Sequence, residues 1–173
     1  MPGHRPLQEK TGRISLPGGI TLGWQPLEGR SGHEAAWALL EELWGAPLPE
    51  VLRTDRGKPY FPEGRLHFSL SHTKRHAFCA LGPVNLGLDA EEADREIRLS
   101  LAEKILSDRE LLRFRAAEDP RSAVLKLWVL KEADAKRSGE GLRGYPNDTD
   151  FSPEEPRVLT IAGCFVAVLT EGD

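Results

Sequence analysis

The stretch AVLKLWVLKEADAKRS, residues 123–138, makes up most of the longest helix that the sequence predicts. One side of it carries four residues spaced four apart, Val124, Trp128, Glu132 and Lys136. Residues at this spacing are neighbours on a helix surface, so the stripe is apolar at its start and charged at its end. The apolar part must pack inward, and a buried charge is costly unless it is paired or binds an ion. Either Glu132 and Lys136 pair on a solvated face, or they belong to a site inside the fold.

A second acidic segment, VNLGLDAE at residues 84–91, predicts a strand with two carboxylates. Positions i and i+2 face the same side of a strand, so Asp89 and Glu91 can point at one cation. Gly87 is expected to leave room for a close ligand. Two oxygen donors of this kind suit Mg²⁺, which takes its remaining ligands from waters and substrate phosphates. The alternative is that these acids simply begin a loop or a helix.

Together, Asp89, Glu91 and Glu132 would form an acidic metal pocket with Lys136 beside it. Phosphoryl chemistry needs this combination. The metal neutralises phosphate oxygens, a lysine stabilises the charge of the leaving group, and a carboxylate deprotonates the nucleophile. The combination favours a metal site over the two alternatives, a solvated Glu132–Lys136 pair and acids that only begin a loop or a helix.

The segment FSLSHT places Ser71 and His72 side by side. Adjacent strand residues point to opposite faces, so Ser71 and His72 cannot form a nucleophile pair. The sequence also lacks the G-x-S-x-G motif of the nucleophile elbow, which argues against an α/β-hydrolase. Zinc binding by His67, His72 and His76 matches no common ligand spacing. Beside the basic residues 74–75, Ser71 and His72 are better candidates for phosphate ligands.

A basic turn, RTDRGKPY at residues 53–60, lacks the first glycine and the hydroxyl residue of a Walker loop. It is expected to present Lys58 to an anion, although lysines are common in exposed turns.

The remaining pattern predicts an α+β fold. We expect a helix from Ser31 to Trp44 with a capping box, helical turns over 100–117 broken at Ser107, and a helix over 121–138 ended by Gly139 and Gly141. Extended segments are predicted at 13–24, 67–72, 77–82, 84–91 and 157–170, with a loop at 143–156. The order strand, helix, strand occurs twice. It indicates either two similar halves, 1–84 and 85–173, or a chance recurrence.

Composition bounds the function classes. The 173 residues (19.2 kDa, 39% hydrophobic) fit one compact domain or two small halves sharing a core, which excludes disordered and fibrous classes. A net charge of −4 argues against nonspecific nucleic-acid binding. Cys79 and Cys164 lie in apolar stretches and are expected to be reduced core residues. No stretch approaches the roughly 18 apolar residues of a membrane span, so a cytoplasmic protein without membrane contact is expected.

Four segments together resemble the signature segments of the 4′-phosphopantetheinyl transferases of the surfactin-synthetase-activating type. In chain order they are GKPYF (57–61), FSLSHT (68–73), GLDAE (87–91) and WVLKEADAKRSGEGL (128–142). The last segment matches the family motif W-x-x-K-E-A-x-x-K-x-x-G-x-G-L at every fixed position. The four segments span about half of the chain.

The resemblance implies a monomer of two α+β halves related by a pseudo-twofold. It also implies transfer of the phosphopantetheine arm from coenzyme A to a serine of an apo acyl or peptidyl carrier protein, releasing adenosine 3′,5′-bisphosphate. Asp89, Glu91 and Glu132 would hold Mg²⁺, with Mn²⁺ as the alternative metal.

The resemblance also assigns roles to single residues. Glu132 would be the general base and Lys136 would steady the pyrophosphate. Ser71, His72 and Lys58 would hold the 3′-phosphate and the nucleotide. Lys131 and Trp128 would be structural, with Lys131 as a candidate phosphate contact.

The first half is shorter than in the family, and the basic residues that the family uses near its N-terminus have no counterpart here. This departure leaves the adenine-end contacts unassigned. It also keeps open a catalytically inactive module that binds coenzyme A or docks a carrier. A second alternative, a Mg²⁺-dependent nucleotide phosphodiesterase, would use the same acidic pocket.

Overall fold

A computed structural model describes residues 7–140 and 149–171. The helices are α1 (Gly32–Trp44), α2 (Ala102–Ile105), α3 (Asp108–Ala116) and α4 (Pro120–Ser138), with a 3₁₀ turn at Leu99–Leu101. The strands are β1 (Gly12–Leu16), β2 (Ile20–Pro26), β3 (Leu52–Arg53), β4 (Pro59–Tyr60), β5 (His67–His72), β6 (His76–Gly82), β7 (Leu86–Glu92), β8 (Val158–Ile161) and β9 (Cys164–Thr170).

The described strands form two main antiparallel sheets and a short ribbon. The first sheet has the order β1-β2-β6-β5, the second the order β7-β9-β8, and β3 pairs with β4. The fold is therefore mixed α and β, as predicted. No helix among the described residues is long and apolar enough to cross a membrane.

A helix covers one face of each sheet, and the other faces share a core. Leu39 and Leu40 of α1 pack on Phe68 and Cys79 of the first sheet. On the second sheet, α4 contributes a separate apolar cluster with β9, formed by Leu125, Val129, Leu130, Ala133, Phe165, Ala167 and Leu169. The shared core between the sheets is lined by Ile20, Leu22, Trp24, Phe78 and Ala80 on one side, and by Leu86, Leu88, Ala90, Leu159, Ile161, Cys164, Val166 and Val168 on the other.

Two serine hydroxyls join the sheets where β5 meets β7. The backbone N–H of Leu88 donates to Ser69 Oγ at 3.0 Å, and that of Ala90 donates to Ser71 Oγ at 3.2 Å. The hydroxyls thus serve as acceptors for backbone donors that would otherwise be buried without a partner. Because both pairings advance in the same direction along the chain, β5 and β7 run parallel here.

The predicted helix ends are confirmed where the structure describes them. Ser31 and Ser107 each close a capping box, with Glu34 and Glu110 as the partners. Gly139 ends α4 in the left-handed conformation, with φ 75°. Helix α4 begins at Pro120, one residue before its predicted start, because the Asp119 side chain caps it. Gly141 and residues 143–148 of the predicted loop lie outside the described residues.

The two cysteines are free and buried, as expected from their apolar surroundings. Cys79 lies in the middle of β6, and Cys164 is the first residue of β9.

Candidate active site

A buried carboxylate on β7 lies at the centre of the site. Asp89 is 8% exposed, and its Oδ1 accepts hydrogen bonds from Lys136 Nζ at 3.1 Å and Ser71 Oγ at 3.3 Å. Its Oδ2 is buried and has no hydrogen-bond partner among the described residues. A buried carboxylate oxygen without a partner is costly, so this atom fits a cation ligand.

Glu132 on α4 lies close enough to Asp89 for the two charges to interact. Burial, followed by the charge of Asp89, raises the pKa of Glu132 to about 7. Burial likewise raises the pKa of Asp89 to about 6, although Lys136 opposes the shift. A divalent cation would favour the charged forms and reverse both shifts.

Glu91 contributes to the same group of acids. Its charge raises the pKa of both Asp89 and Glu132. Its side chain is 19% exposed, and its Oε1 lies 2.5 Å from Arg95 Nη1. All three predicted metal ligands and Lys136 are therefore brought together, and their donor set, three carboxylates, suits Mg²⁺.

Two adjoining cavities open on this cluster. One, of about 350 Å³, is lined by Asp89, Glu91, His72 and Arg53, among others. The other, of about 280 Å³, is lined by Glu132, Lys58 and Gly139, among others. Both are bounded by Lys136, Leu70 and Pro59. Lys136 therefore stands between them, and its ammonium also donates to the Leu70 carbonyl at 3.3 Å.

His72 packs against the first residue of α1. A β-carbon added to Gly32 would lie only 2.0 Å from His72 Nδ1, so a side chain there would displace the imidazole. The helix N-terminus carries a partial positive charge and free N–H groups, which favour an anion. The structure thus brings His72 to a suitable place for a phosphate, beside the cavity that contains Asp89.

Ser71 and Lys58 are engaged in contacts within the protein. Ser71 Oγ accepts from the β7 backbone and donates to Asp89, so the hydroxyl positions that carboxylate. Lys58 Nζ donates to Asn85 Oδ1 at 2.7 Å and to the Arg137 carbonyl at 2.8 Å. Burial and the neighbouring Arg137 lower the pKa of Lys58. The nucleotide contacts assigned to these two residues stay predictions.

Lys131 is not brought to the acidic cluster; its position fits the structural role that the resemblance implied, and its assignment as a cofactor-binding residue stays a prediction. Its side chain is 1% exposed and its Nζ lies 2.6 Å from Glu110 Oε1, which is itself fully buried. Lys131 also donates to Thr149 Oγ1. Since consecutive helix residues point about 100° apart, Lys131 faces α3 while Glu132 faces β7.

Gly87 has a different role from the one predicted. A β-carbon there would lie 2.0 Å from the Ala133 carbonyl oxygen and 2.4 Å from the Arg137 amide nitrogen. The glycine therefore lets β7 approach the backbone of α4, rather than leaving room for a ligand. This close approach is what brings Glu132 and Lys136 to Asp89.

Sequence reasoning missed Arg53 and His33 as residues of the cavity. Both line the cavity that His72 also lines. Arg53 ends β3 and its Nη1 donates to the Gly57 carbonyl at 2.9 Å, which closes the 53–60 turn. The position of Arg53 at the start of a basic turn was a usable signal. His33 carried no signal apart from its place in the first turn of a capped helix.

The comparisons with known proteins give the same family as the sequence motifs. Residues 85–165 match the family model of the 4′-phosphopantetheinyl transferase superfamily, and the match includes all three clustered carboxylates and Lys136. The 4′-phosphopantetheinyl transferase HetI of Nostoc is 34% identical over 153 residues, covering 78% of this chain and 63% of that protein. The 4′-phosphopantetheinyl transferase Sfp of Bacillus subtilis is 32% identical over 89 residues, covering 50% of this chain and 39% of Sfp.

A putative 4′-phosphopantetheinyl transferase of Haemophilus influenzae is 29% identical over 120 residues, covering 66% of this chain and 51% of that protein. The chain thus spans about half the length of the curated relatives that it matches. Taken together, these matches confirm the predicted resemblance: the chain is similar to members of the 4′-phosphopantetheinyl transferase superfamily, Sfp-like transferases among them.

Proposed function

We propose that this protein transfers the 4′-phosphopantetheine arm of coenzyme A to a serine of an apo acyl or peptidyl carrier protein. The observation that carries the proposal is the buried Asp89. One of its oxygens accepts hydrogen bonds from Lys136 and Ser71, and the other has no partner among the described residues. Glu91 and Glu132 lie next to this carboxylate. This cluster supports a cation site facing two cavities large enough to take parts of a nucleotide-containing substrate.

In this proposal Asp89, Glu91 and Glu132 hold Mg²⁺ or Mn²⁺. The bound cation would neutralise phosphate oxygens of the coenzyme A pyrophosphate. Lys136 lies between the two cavities, so its ammonium can hold a pyrophosphate oxygen that gains charge as adenosine 3′,5′-bisphosphate leaves.

Glu132 is proposed as the general base. With the cation bound, Glu132 would be ionised and therefore able to accept a proton, and it lines the cavity that Lys136 also bounds. The carrier serine oxygen would form a bond to the phosphorus that bears pantetheine, and its proton would pass to Glu132 directly or through water. The bond from that phosphorus to the bridging oxygen would break, and its electron pair would leave with adenosine 3′,5′-bisphosphate.

His72 is proposed to hold the 3′-phosphate, with Arg53 close by. Support comes from the packing of His72 on the N-terminus of α1 and from the position of both side chains in the cavity that Asp89 lines. Arg53 offers a basic group in the first half of the chain, where the basic residues that the family uses near its N-terminus have no counterpart.

We further propose that the halves 1–84 and 85–173 are related by a pseudo-twofold. In each half a helix covers one face of an antiparallel sheet, and the opposite face joins the shared core. Strands β5 and β7 and helix α4 of one chain build the cluster, which supports a monomer as the active form.

The test is to follow both products of coenzyme A, with and without apo carrier domains from fatty-acid, polyketide and peptide synthesis. The proposal predicts that Mg²⁺-dependent adenosine 3′,5′-bisphosphate release requires a carrier and equals the carrier's gain of phosphopantetheine. Cleavage that needs no carrier would instead support a phosphodiesterase. If the protein binds coenzyme A but does not cleave it in the presence of any of these carriers, the result would support an inactive binding module.

A further inference from the structure

A second group of potential metal ligands lies on the opposite side of β7. His76 begins β6, Glu92 ends β7 and Cys164 begins β9, and all three are buried. One ligand atom from each lies within 4.8 Å of the others. Because strand side chains alternate, Glu92 points away from the face that carries Asp89 and Glu91. The group is therefore separate from the acidic cluster.

His76 has unsatisfied hydrogen-bonding capacity. Its side chain is only 9% exposed, and neither ring nitrogen has a hydrogen-bond partner in the described part of the chain. Its Nδ1 lies 3.9 Å from Glu92 Oε1, which exceeds hydrogen-bond distance. A buried imidazole normally finds at least one partner, so this ring is arranged for a ligand that the described residues do not supply.

The neighbouring groups already orient the carboxylate. Thr73 Oγ1 donates to Glu92 Oε1 at 2.8 Å, and the mostly exposed Arg75 places Nη1 3.4 Å from Oε2. An oxygen of a carboxylate has two lone pairs, so the Thr73 bond leaves capacity for a cation. Outer contacts of this kind orient metal ligands in known sites. The positive charge of Arg75 opposes the binding of a cation, but solvent screens it because the side chain is 61% exposed.

We propose that His76, Glu92 and Cys164 bind a borderline-soft divalent transition metal, with Zn²⁺ as the best match. Imidazole nitrogen, thiolate sulfur and carboxylate oxygen are the donors that Zn²⁺ takes, whereas Mg²⁺ prefers oxygen alone. The three ligands leave one position for water. Binding displaces the thiol proton of Cys164, so one proton is released from that sulfur for each metal bound.

The metal would connect strands of both sheets. His76 lies on β6 of the first sheet, while Glu92 and Cys164 lie on β7 and β9 of the second. Beyond the three ligands, the side of the site towards the shared core is apolar, since Cys164 belongs to that core. A cation held here would therefore stabilise the folded state relative to the unfolded chain by mass action.

The experiment uses the full chain, stripped with a chelator and returned to excess Mg²⁺ so that the carboxylate cluster is occupied. Dialysis against Zn²⁺ and elemental analysis should then give one Zn²⁺ per chain. Co²⁺ in its place should give the near-ultraviolet absorption of a thiolate-to-cobalt charge transfer. Zn²⁺ should also raise the melting temperature.

Cys164→Ser and His76→Gln should lose the Zn²⁺, the Co²⁺ absorption and the rise in melting temperature. Cys79→Ser is the matched control, because Cys79 is equally buried but lies among apolar side chains, and it should retain all three. If Cys164→Ser does not fold, His76→Gln and Glu92→Gln carry the comparison. No stoichiometric uptake by the unmodified chain, or the same uptake by Cys164→Ser or His76→Gln, would overturn the proposal.

Discussion

Two neighbouring residues of α4, Lys131 and Glu132, belong to charge clusters with opposite properties. Lys131 pairs with Glu110 in a site where both side chains are almost completely buried. Glu110 also accepts from the backbone N–H groups of Ser107 and Phe151, each at 2.9 Å. Thr149 donates to it as well, so its two oxygens serve four partners that link α3, α4 and the segment after residue 148.

The cluster around Glu132 is left incomplete. Asp89 Oδ2 has no partner within residues 7–140 and 149–171. Burial, assisted by the charges of neighbouring acids, holds the pKa of Asp89 and of Glu132 above the usual range. Both clusters contain a lysine and buried acids, so charge alone does not distinguish them. Complete hydrogen bonding indicates a structural role, whereas buried oxygens without partners and shifted pKa values indicate a binding or catalytic role.

The largest effect that separates the clusters is expected for Glu132→Gln. The amide cannot accept the serine proton and is a poorer metal ligand, so carrier modification should fall by about 10²–10⁴-fold or more. Single-turnover rates at saturating coenzyme A measure this. The control is Asp134→Asn, two residues along the helix, where the acid pairs with Arg137. Near-normal turnover of Glu132→Gln would refute its role.

The opposite result is expected for Lys131→Met. The change leaves Glu110 buried and charged without its ammonium partner, so the free energy of unfolding should fall by about 3–5 kcal/mol. Below its melting temperature the variant should still modify the carrier at a rate close to that of the unmodified chain. Urea unfolding and the same rate assay measure the two effects.

A double variant sharpens this test. Glu110→Leu combined with Lys131→Met removes both charges and should recover part of the lost stability, although Ser107, Thr149 and Phe151 lose an acceptor. If Lys131→Met instead abolished turnover at full stability, Lys131 would belong to the catalytic cluster.

A smaller effect is expected at the N-terminus of α1. His72→Ala should raise the KM for coenzyme A about tenfold, which corresponds to one lost hydrogen bond to a charged group. The KM for 3′-dephospho-coenzyme A should stay unchanged. Gly32→Ala should act in the same way, because its β-carbon would displace the imidazole. His67→Ala on the same strand is the control. Equal losses for both substrates would remove His72 from the 3′-phosphate.

The smallest effect is a pH dependence of stability without metal. Folding raises the pKa of Glu132 from 4.5 to about 7, so the folded state binds more protons than the unfolded chain within that window. This acid therefore lowers stability as pH rises from about 4.5 to 7. Glu132→Gln removes the effect. The melting temperature of the variant should therefore exceed that of the unmodified chain by an amount that grows from pH 5 to 8, and Mg²⁺ should close this gap in melting temperature. A gap independent of pH would contradict the pKa shift.

Much of the fold was predictable because local signals encode it. The capping boxes at Ser31 and Ser107 and the glycine after Ser138 fixed helix ends through contacts within four residues. The acidic cluster was also predictable, since strand alternation and helix spacing place Asp89, Glu91 and Glu132 on faces that can meet.

Contacts between distant residues were not predictable. Lys131 and Glu110 are 21 positions apart on different helices, so no spacing rule joins them. The same holds for Ser69 and Ser71, whose hydroxyls accept from β7 and thereby join the sheets. Gly87 was noticed, but its purpose depends on how closely α4 packs, which only the three-dimensional structure shows.

The most direct measurement is the intact mass of an apo carrier domain after incubation with coenzyme A. It should be made with Mg²⁺, with chelator, and with Glu132→Gln in place of the unmodified chain. We expect one phosphopantetheine to be added to one serine with Mg²⁺, whereas neither the protein in chelator nor the Glu132→Gln variant should add it at a comparable rate. No added mass on any carrier domain, or addition that persists in chelator and in Glu132→Gln, would contradict this expectation.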